Sequence, residues 1–151
     1  MCVGKRTEQP MGLLIVDIDH CKRINDTCGH RVGDEVLKNL AVKMTAALRL
    51  YDPVGRWGGE EFLALLPSCT LNEAAAVAER LRLHVAVEKL ALGQLAVAVT
   101  VRVGVYTIQW PTVDADVALQ AVDRALYEAR HKGRNRVEIY DPASVADPPS
   151  A

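Results

Sequence analysis

The chain has 151 residues, half of them hydrophobic, which fits one compact domain with a proper core. A formal net charge of -1 gives no basic surface for nucleic acid or an anionic membrane, and no apolar run nears the roughly 18 residues of a bilayer span. The first residues, MCVGKRTEQPMG, lack a signal-peptide apolar region, and Cys2, Cys21, Cys28 and Cys69 form neither a CxxC pair nor zinc-like spacing with the histidines, so a reduced, cytoplasmic protein is expected.

In chain order, Met1 to Met11 carries no periodic pattern, and residues 1–12 read as a leader to the first strand. Leu13 to Val16 is a short apolar run that reads as a buried strand, with the acids of Asp17-Ile18-Asp19 at its carboxyl end. Lys22 follows five residues after Asp17, near enough to place a cation over a phosphate. Val32, Val36, Leu37, Leu40, Met44, Ala47 and Leu48 recur at helical spacing and predict an amphipathic helix from Gly33 to about Leu50. Asn25 and Asp34 flank its start. An acid in a first helical turn has a sufficient explanation in the helix dipole. As a site residue, Asp34 would instead accept two hydrogen bonds from the N1–H and N2 amino edge of guanine, a donor pair that adenine does not offer. Arg49 and Asp52 stand at the helix end, where a local ion pair at an exposed site is worth little.

The densest chemical signal is RWGGEEF, Arg56 to Phe62. Val54 to Trp57 and Phe62 to Leu66 read as strands joined across a tight turn at Gly58 and Gly59, since glycine accepts the positive φ of two-residue hairpin turns and lets an anion approach backbone N–H groups. Glu60 and Glu61 fall on opposite faces if strand pairing begins at once. Magnesium takes one or two protein carboxylates and completes its shell with water and phosphate. If the two strands are neighbours, Asp17 and the tip acids together would make a nucleoside triphosphate site.

Thr70 with Glu73 reads as a capping box opening a helix to about Lys89, with Ala74, Val77, Ala78, Leu81 and Val85 on its apolar face. Valines alternate from Leu95 to Thr107, predicting one strand. Thr112 or Asp114 can cap a last helix, carrying Val117, Ala118, Ala121, Val122, Ala125 and Leu126 and ending at His131 to Gly133, where Lys132 suits the dipole. Val137 to Tyr140 reads as a terminal strand, and residues 142–151 as a flexible tail. This order points to an α+β fold, a sheet with helices packed on it.

DIDHCKRINDTCGHRVGDEVL (Asp17 to Leu37) and RWGGEEF together resemble the GGDEF domain of diguanylate cyclases, whose usual strings are DxDxFKxxND, GHxxGDxxL and RYGGDEF or RYGGEEF. The resemblance runs from about Leu13 to Tyr140 and implies a domain over residues 13–141, with a mixed, mainly antiparallel sheet like the ferredoxin-like palm of nucleotide cyclases. It implies condensation of two GTP into cyclic di-GMP with release of pyrophosphate, on a homodimer in which each subunit supplies half the site. Asp17, the Ile18 carbonyl and Glu60 would hold two Mg2+ (or Mn2+) ions, with Glu61 assisting, Glu60 helping to deprotonate the attacking hydroxyl and Lys22 offsetting phosphate charge. Asn25 and Asp34 fall on guanine-binding positions, His30 on a further substrate contact, and Gly58 and Gly59 beside the phosphates. Arg130 and Arg134 fall on the phosphate contacts of AKxxGRN, with Arg130 in place of lysine. Arg49 and Asp52 match the RxxD pattern of a product-binding inhibitory site, which Arg80 would complete.

Cys21 stands where the family expects phenylalanine, and Cys28 where an aromatic is common. The DxLTGLxNR segment that usually precedes the DxD strand does not occur here, so the resemblance implies an amino-terminally truncated domain with room for an upstream sensor. An alternative stays open: an inactive module that binds cyclic di-GMP through Arg49, Asp52 and Arg80, or GTP through Asn25 and Asp34.

Overall fold

The computed structural model of the protein describes residues 9–56, 59–92, 94–110, 116, 120, 123–124, 127–128 and 131–139. In chain order its elements are β1 (Gln9–Ile18), α1 (Cys21–Cys28), α2 (His30–Ala47), β2 (Val54–Arg56), β3 (Glu61–Pro67), α3 (Leu71–Val87), β4 (Leu90–Leu92), β5 (Leu95–Val97), β6 (Val101–Trp110) and β7 (Arg136–Ile139). The main sheet has the order β2-β3-β1-β6-β7; every pairing is antiparallel except β6 with β7, and β4 with β5 forms a separate ribbon. The architecture is the α+β, mixed and mainly antiparallel sheet expected. Among the described residues, no helix is long and apolar enough to cross a membrane.

β1 occupies the middle of the sheet, which explains why Leu13 to Val16 are apolar without alternation: all four are at most 3% exposed because both faces are covered. Leu14, Val16 and Ile18 join Phe62, Ala64 and Leu66 of β3 and Val101, Val103 and Val105 of β6 in one core with α2 and α3, which contribute Leu40, Met44, Ala78 and Leu81. Gly12 lies where α3 crosses this face. A Cβ there would stand 3.0 Å from the Cβ of Ala74 and 3.2 Å from that of Leu66, so bare backbone lets the helix come close.

Several expected boundaries move. β1 begins at Gln9, so Gln9 to Gly12, assigned to the leader, are strand: they pair with β6 as far as Trp110, and the Cys69 N–H donates to the Pro10 carbonyl. α1 is an unforeseen helix, and α2 starts at His30 rather than Gly33 and stops at Ala47 rather than near Leu50. The two helices break at Gly29, whose φ of +90° continues neither. The alternation from Leu95 to Thr107 is not one strand. Its first three residues pair with β4, and the chain passes into the main sheet only at Val101, a change of partner that an unbroken valine pattern conceals.

α3 matches its expected span, and the Glu73 N–H donates to the Thr70 hydroxyl at 3.2 Å. Of the last helix, Asp116, Gln120, Asp123, Arg124, Tyr127, Glu128, His131 and Lys132 are helical; its expected apolar positions, like residues 1–8, Tyr140 and the 142–151 tail, lie outside the described residues.

Candidate functional site

Register alone brings the first acids together. Asp17 of β1 stands opposite Glu61 of β3 on one side and Arg102 of β6 on the other. Directly opposed residues share a face, so Arg102, Asp17 and Glu61 form a row across three strands, on the face away from α2 and α3. Asp17 is fully buried and Asp19 nearly so. Arg102 Nη2 donates to Asp17 Oδ2 at 2.8 Å, while its Nε lies 3.0 Å from Asp19 Oδ1. Asp19 Oδ2 also accepts from the Thr100 hydroxyl and, at 2.8 Å, from the Asn135 N–H. Buried carboxylates persist only with partners of this kind. The charges of Asp17, Asp19 and Arg102 sum to one negative charge.

The expected turn at Gly58 and Gly59 falls partly outside the described residues, since Trp57 and Gly58 are not among them. Among the described residues the β2–β3 ladder runs to Arg56 opposite Phe62, and Gly59 and Glu60 form bends. Glu61 pairs with β1, and Arg56 ties the tip by donating to the Gly59 carbonyl through Nε at 3.1 Å and also through Nη2. The register therefore makes Glu61 the acid opposite Asp17, with the half-buried Glu60 one residue further out.

Among the described residues, no three of His, Cys, Asp and Glu gather as a closed metal cage. The donors present are oxygens: Asp17 and Glu61 in opposition, Glu60 next to Glu61 in the chain, and the Ile18 carbonyl next to Asp17. Such a set fits a hard divalent ion that keeps water and substrate phosphate in its shell.

A cavity of about 570 Å³ lies between α2 and the β2–β3 hairpin. Leu37, Ala41, Val54 and Phe62 make its apolar walls, and Asp34, Lys38 and Arg56 its charged rim, a composition and size suited to a small ligand. Because α2 begins at His30, Asp34 falls in the second turn, so the first-turn dipole no longer explains it. Asn25, on α1, sets its amide against Gly33 of α2, the residue before Asp34. A Cβ on Gly33 would lie 1.7 Å from Asn25 Oδ1, so the glycine makes room for the amide against α2. Lys22 and His30 are exposed, on α1 and at the start of α2, and neither lines the cavity.

Arg49, Asp52 and Arg80 line a second cavity of about 300 Å³. The Arg49–Asp52 ion pair is sheltered on one side only: the Asp52 side chain is 2% exposed and that of Arg49 41%. The Asp52 carboxylate accepts from the Arg49 N–H at 2.9 Å and from Arg49 Nε at 3.1 Å, while Arg49 Nη2 also donates to the Pro67 carbonyl at 2.7 Å. The hydrogen bonds to Asp52 raise the already high guanidinium pKa of Arg49. Arg80 Nη2 donates to the Ala47 carbonyl at the end of α2, and burial pushes the neighbouring Cys69 thiol up.

Arg134 is exposed on the loop between the last helix and β7. That loop is held at Asn135, whose N–H donates to Asp19 and whose side-chain oxygen accepts from Arg82 Nη1 at 2.7 Å; Arg82 in turn pairs with Glu79. Arg130 lies outside the described residues. Lys132 bonds Glu138 at 2.6 Å, so a specific partner rather than the helix dipole accounts for it. Sequence reasoning missed Arg82 and Arg102. For Arg102 a signal existed, since it is the one charge within the neutral run from Leu95 to Thr107.

A family model described as "Diguanylate cyclase, GGDEF domain" matches residues 2–136. The response regulator PleD of Caulobacter vibrioides is 38% identical over 130 residues, which are 85% of this chain and 29% of that protein. Among solved structures, the active GGEEF domain of a diguanylate cyclase from Vibrio cholerae is 34% identical with a TM-score of 0.80, over 88% of this chain and 84% of that one. The GGDEF domain of DgcB from Caulobacter crescentus, in complex with c-di-GMP, is 30% identical with a TM-score of 0.81, over 87% and 78%. The chain spans between 29% and 36% of the length of the curated relatives it matches.

Proposed function

We propose that this chain, which belongs to the GGDEF domain family of diguanylate cyclases, condenses two GTP into cyclic di-GMP and releases pyrophosphate. The observation that carries this reading is the opposition of Asp17 and Glu61 across β1 and β3, with Glu60 adjoining. Asp17, Glu60 and the Ile18 carbonyl would hold Mg2+ or Mn2+, which when bound supplies charge neutralisation on the triphosphate, and Glu61 supports this set. Asp34 accepts from the N1–H and N2 amino group of guanine in the larger cavity. Asn25 and His30, outside that lining, are further substrate contacts. Gly58 and Gly59 let the phosphates approach the tip. Glu60 takes the proton of a 3′-hydroxyl, whose oxygen then bonds to the α-phosphorus of a second GTP as the bond to the bridging oxygen breaks and pyrophosphate departs. Lys22, Arg130 and Arg134 offset the charge that develops. One chain presents one GTP, so the reaction needs a homodimer. Product bound at Arg49, Asp52 and Arg80 restrains it.

The test is incubation of the purified chain with GTP and Mg2+ at several protein concentrations, with nucleotides resolved by chromatography. The parent should form cyclic di-GMP at a rate rising faster than protein concentration, and Glu60→Gln should form none. No product from the parent at any concentration would sink the cyclase reading. A second reading is favoured by the assembly of Arg49, Asp52 and Arg80 around their own cavity, apart from the acid row: a receptor for cyclic di-GMP. It is expected to bind cyclic di-GMP without turnover and to lose that binding in Arg49→Ala.

A further inference from the structure

Arg102 already holds the carboxylate that the proposed metal site needs. It stands directly opposite Asp17, 15% exposed, with Nη2 at 2.8 Å from an oxygen of a fully buried acid. A guanidinium keeps its charge at any working pH, so this is a permanent cation within contact distance of the position for a divalent ion. The second arm of the fork matters as much. Nε lies 3.0 Å from Asp19, and Asp19 is itself fixed by Thr100 and by the backbone of Asn135. Arg102 can therefore release Asp17 and remain paired.

We propose that Arg102 is a positioning residue that sets the divalent-ion affinity of Asp17, holding one of its oxygens in the free protein and yielding it when nucleotide and ion arrive together. The inference rests on the reading of Asp17 as a metal ligand. Its consequence is an order of events. Without the negative charge of a triphosphate, an ion must displace one positive group and sit beside it, so the free chain binds metal weakly; with GTP the added phosphates offset that repulsion.

The experiment is titration of the purified chain with Mn2+ in the absence of nucleotide, read by calorimetry. Arg102→Gln should bind Mn2+ at least about tenfold more tightly than the parent, because a unit positive charge within contact distance of the ion is removed. Asp17→Asn should abolish binding in both backgrounds. Arg102→Gln leaves two buried acids without their shared cation; if it does not fold, Arg102→Lys replaces it, because a single ammonium cannot hold both acids at once and a smaller tightening is expected. Binding that is lost in Asp17→Asn but is equal or weaker in the folded Arg102 variant overturns the inference and leaves the metal reading standing. Binding that survives Asp17→Asn, or that is absent from the parent and the Arg102 variant alike, overturns both.

Discussion

Gly33 and Asn25 illustrate how a motif residue can serve a neighbour rather than the ligand. The room for the Asn25 amide exists only because Gly33 lacks a Cβ, which would stand 1.7 Å from the amide oxygen. Gly33→Ala is therefore expected to displace Asn25 and weaken GTP binding while the chain stays folded. In an Asn25→Ala background the same change should instead stabilise by about 1 kcal/mol, the preference for alanine over glycine inside a helix. Urea unfolding of the four proteins measures this; an equal effect of Gly33→Ala in both backgrounds would refute it. At this scale the strings around Asp17, Asp34 and the tip were legible in the sequence. For Arg102 the sequence marked only a lone charge in a neutral strand; which acids it serves depends on what the register sets opposite it.

α3 and β1 make contact through the missing side chain of Gly12, against Ala74 and Leu66. A β-branched residue suits a strand in general, but here it must push the helix away. Gly12→Val should cost about 1–3 kcal/mol by overpacking, seen as a lower urea midpoint with an unchanged slope. A neutral or stabilising effect would mean that α3 is not held at this distance. The elements themselves were mostly legible: the periodicity of α2, the Thr70 cap of α3 and the apolar run of β1 follow from local chemistry. What was not legible was where an element changes partner. Leu95 to Thr107 alternates throughout, yet its first residues belong to the β4–β5 ribbon and the rest to the main sheet. Nothing local marks that switch.

Across the whole molecule, Asp19 and Arg82 tie the loop that carries Arg134 to β1 and to α3. The hydrogen bond from Arg82 holds the Glu79 carboxyl below its usual range. Because the folded pKa is depressed, this contribution is present above the unfolded value of about 4.3 and is lost as pH falls through the folded one. The stability gap between the parent and Glu79→Gln should therefore close as pH drops from about 6 to about 3. Thermal unfolding across that range measures it, and a constant gap would refute it. The effect is small, since the Glu79 side chain is 47% exposed and water screens the pair. The sequence by itself determined the α+β class, the helical and strand faces, and which acids and cations cluster along the chain, because these depend on periodicity and short spacing. Only the tertiary structure decided that Glu61 faces Asp17, that Arg102 bridges Asp17 and Asp19, and that Arg49, Asp52 and Arg80 share a cavity. Those contacts join residues far apart in the chain. Their geometry is set by strand register and helix packing, which minimise the free energy of the whole core rather than of any segment.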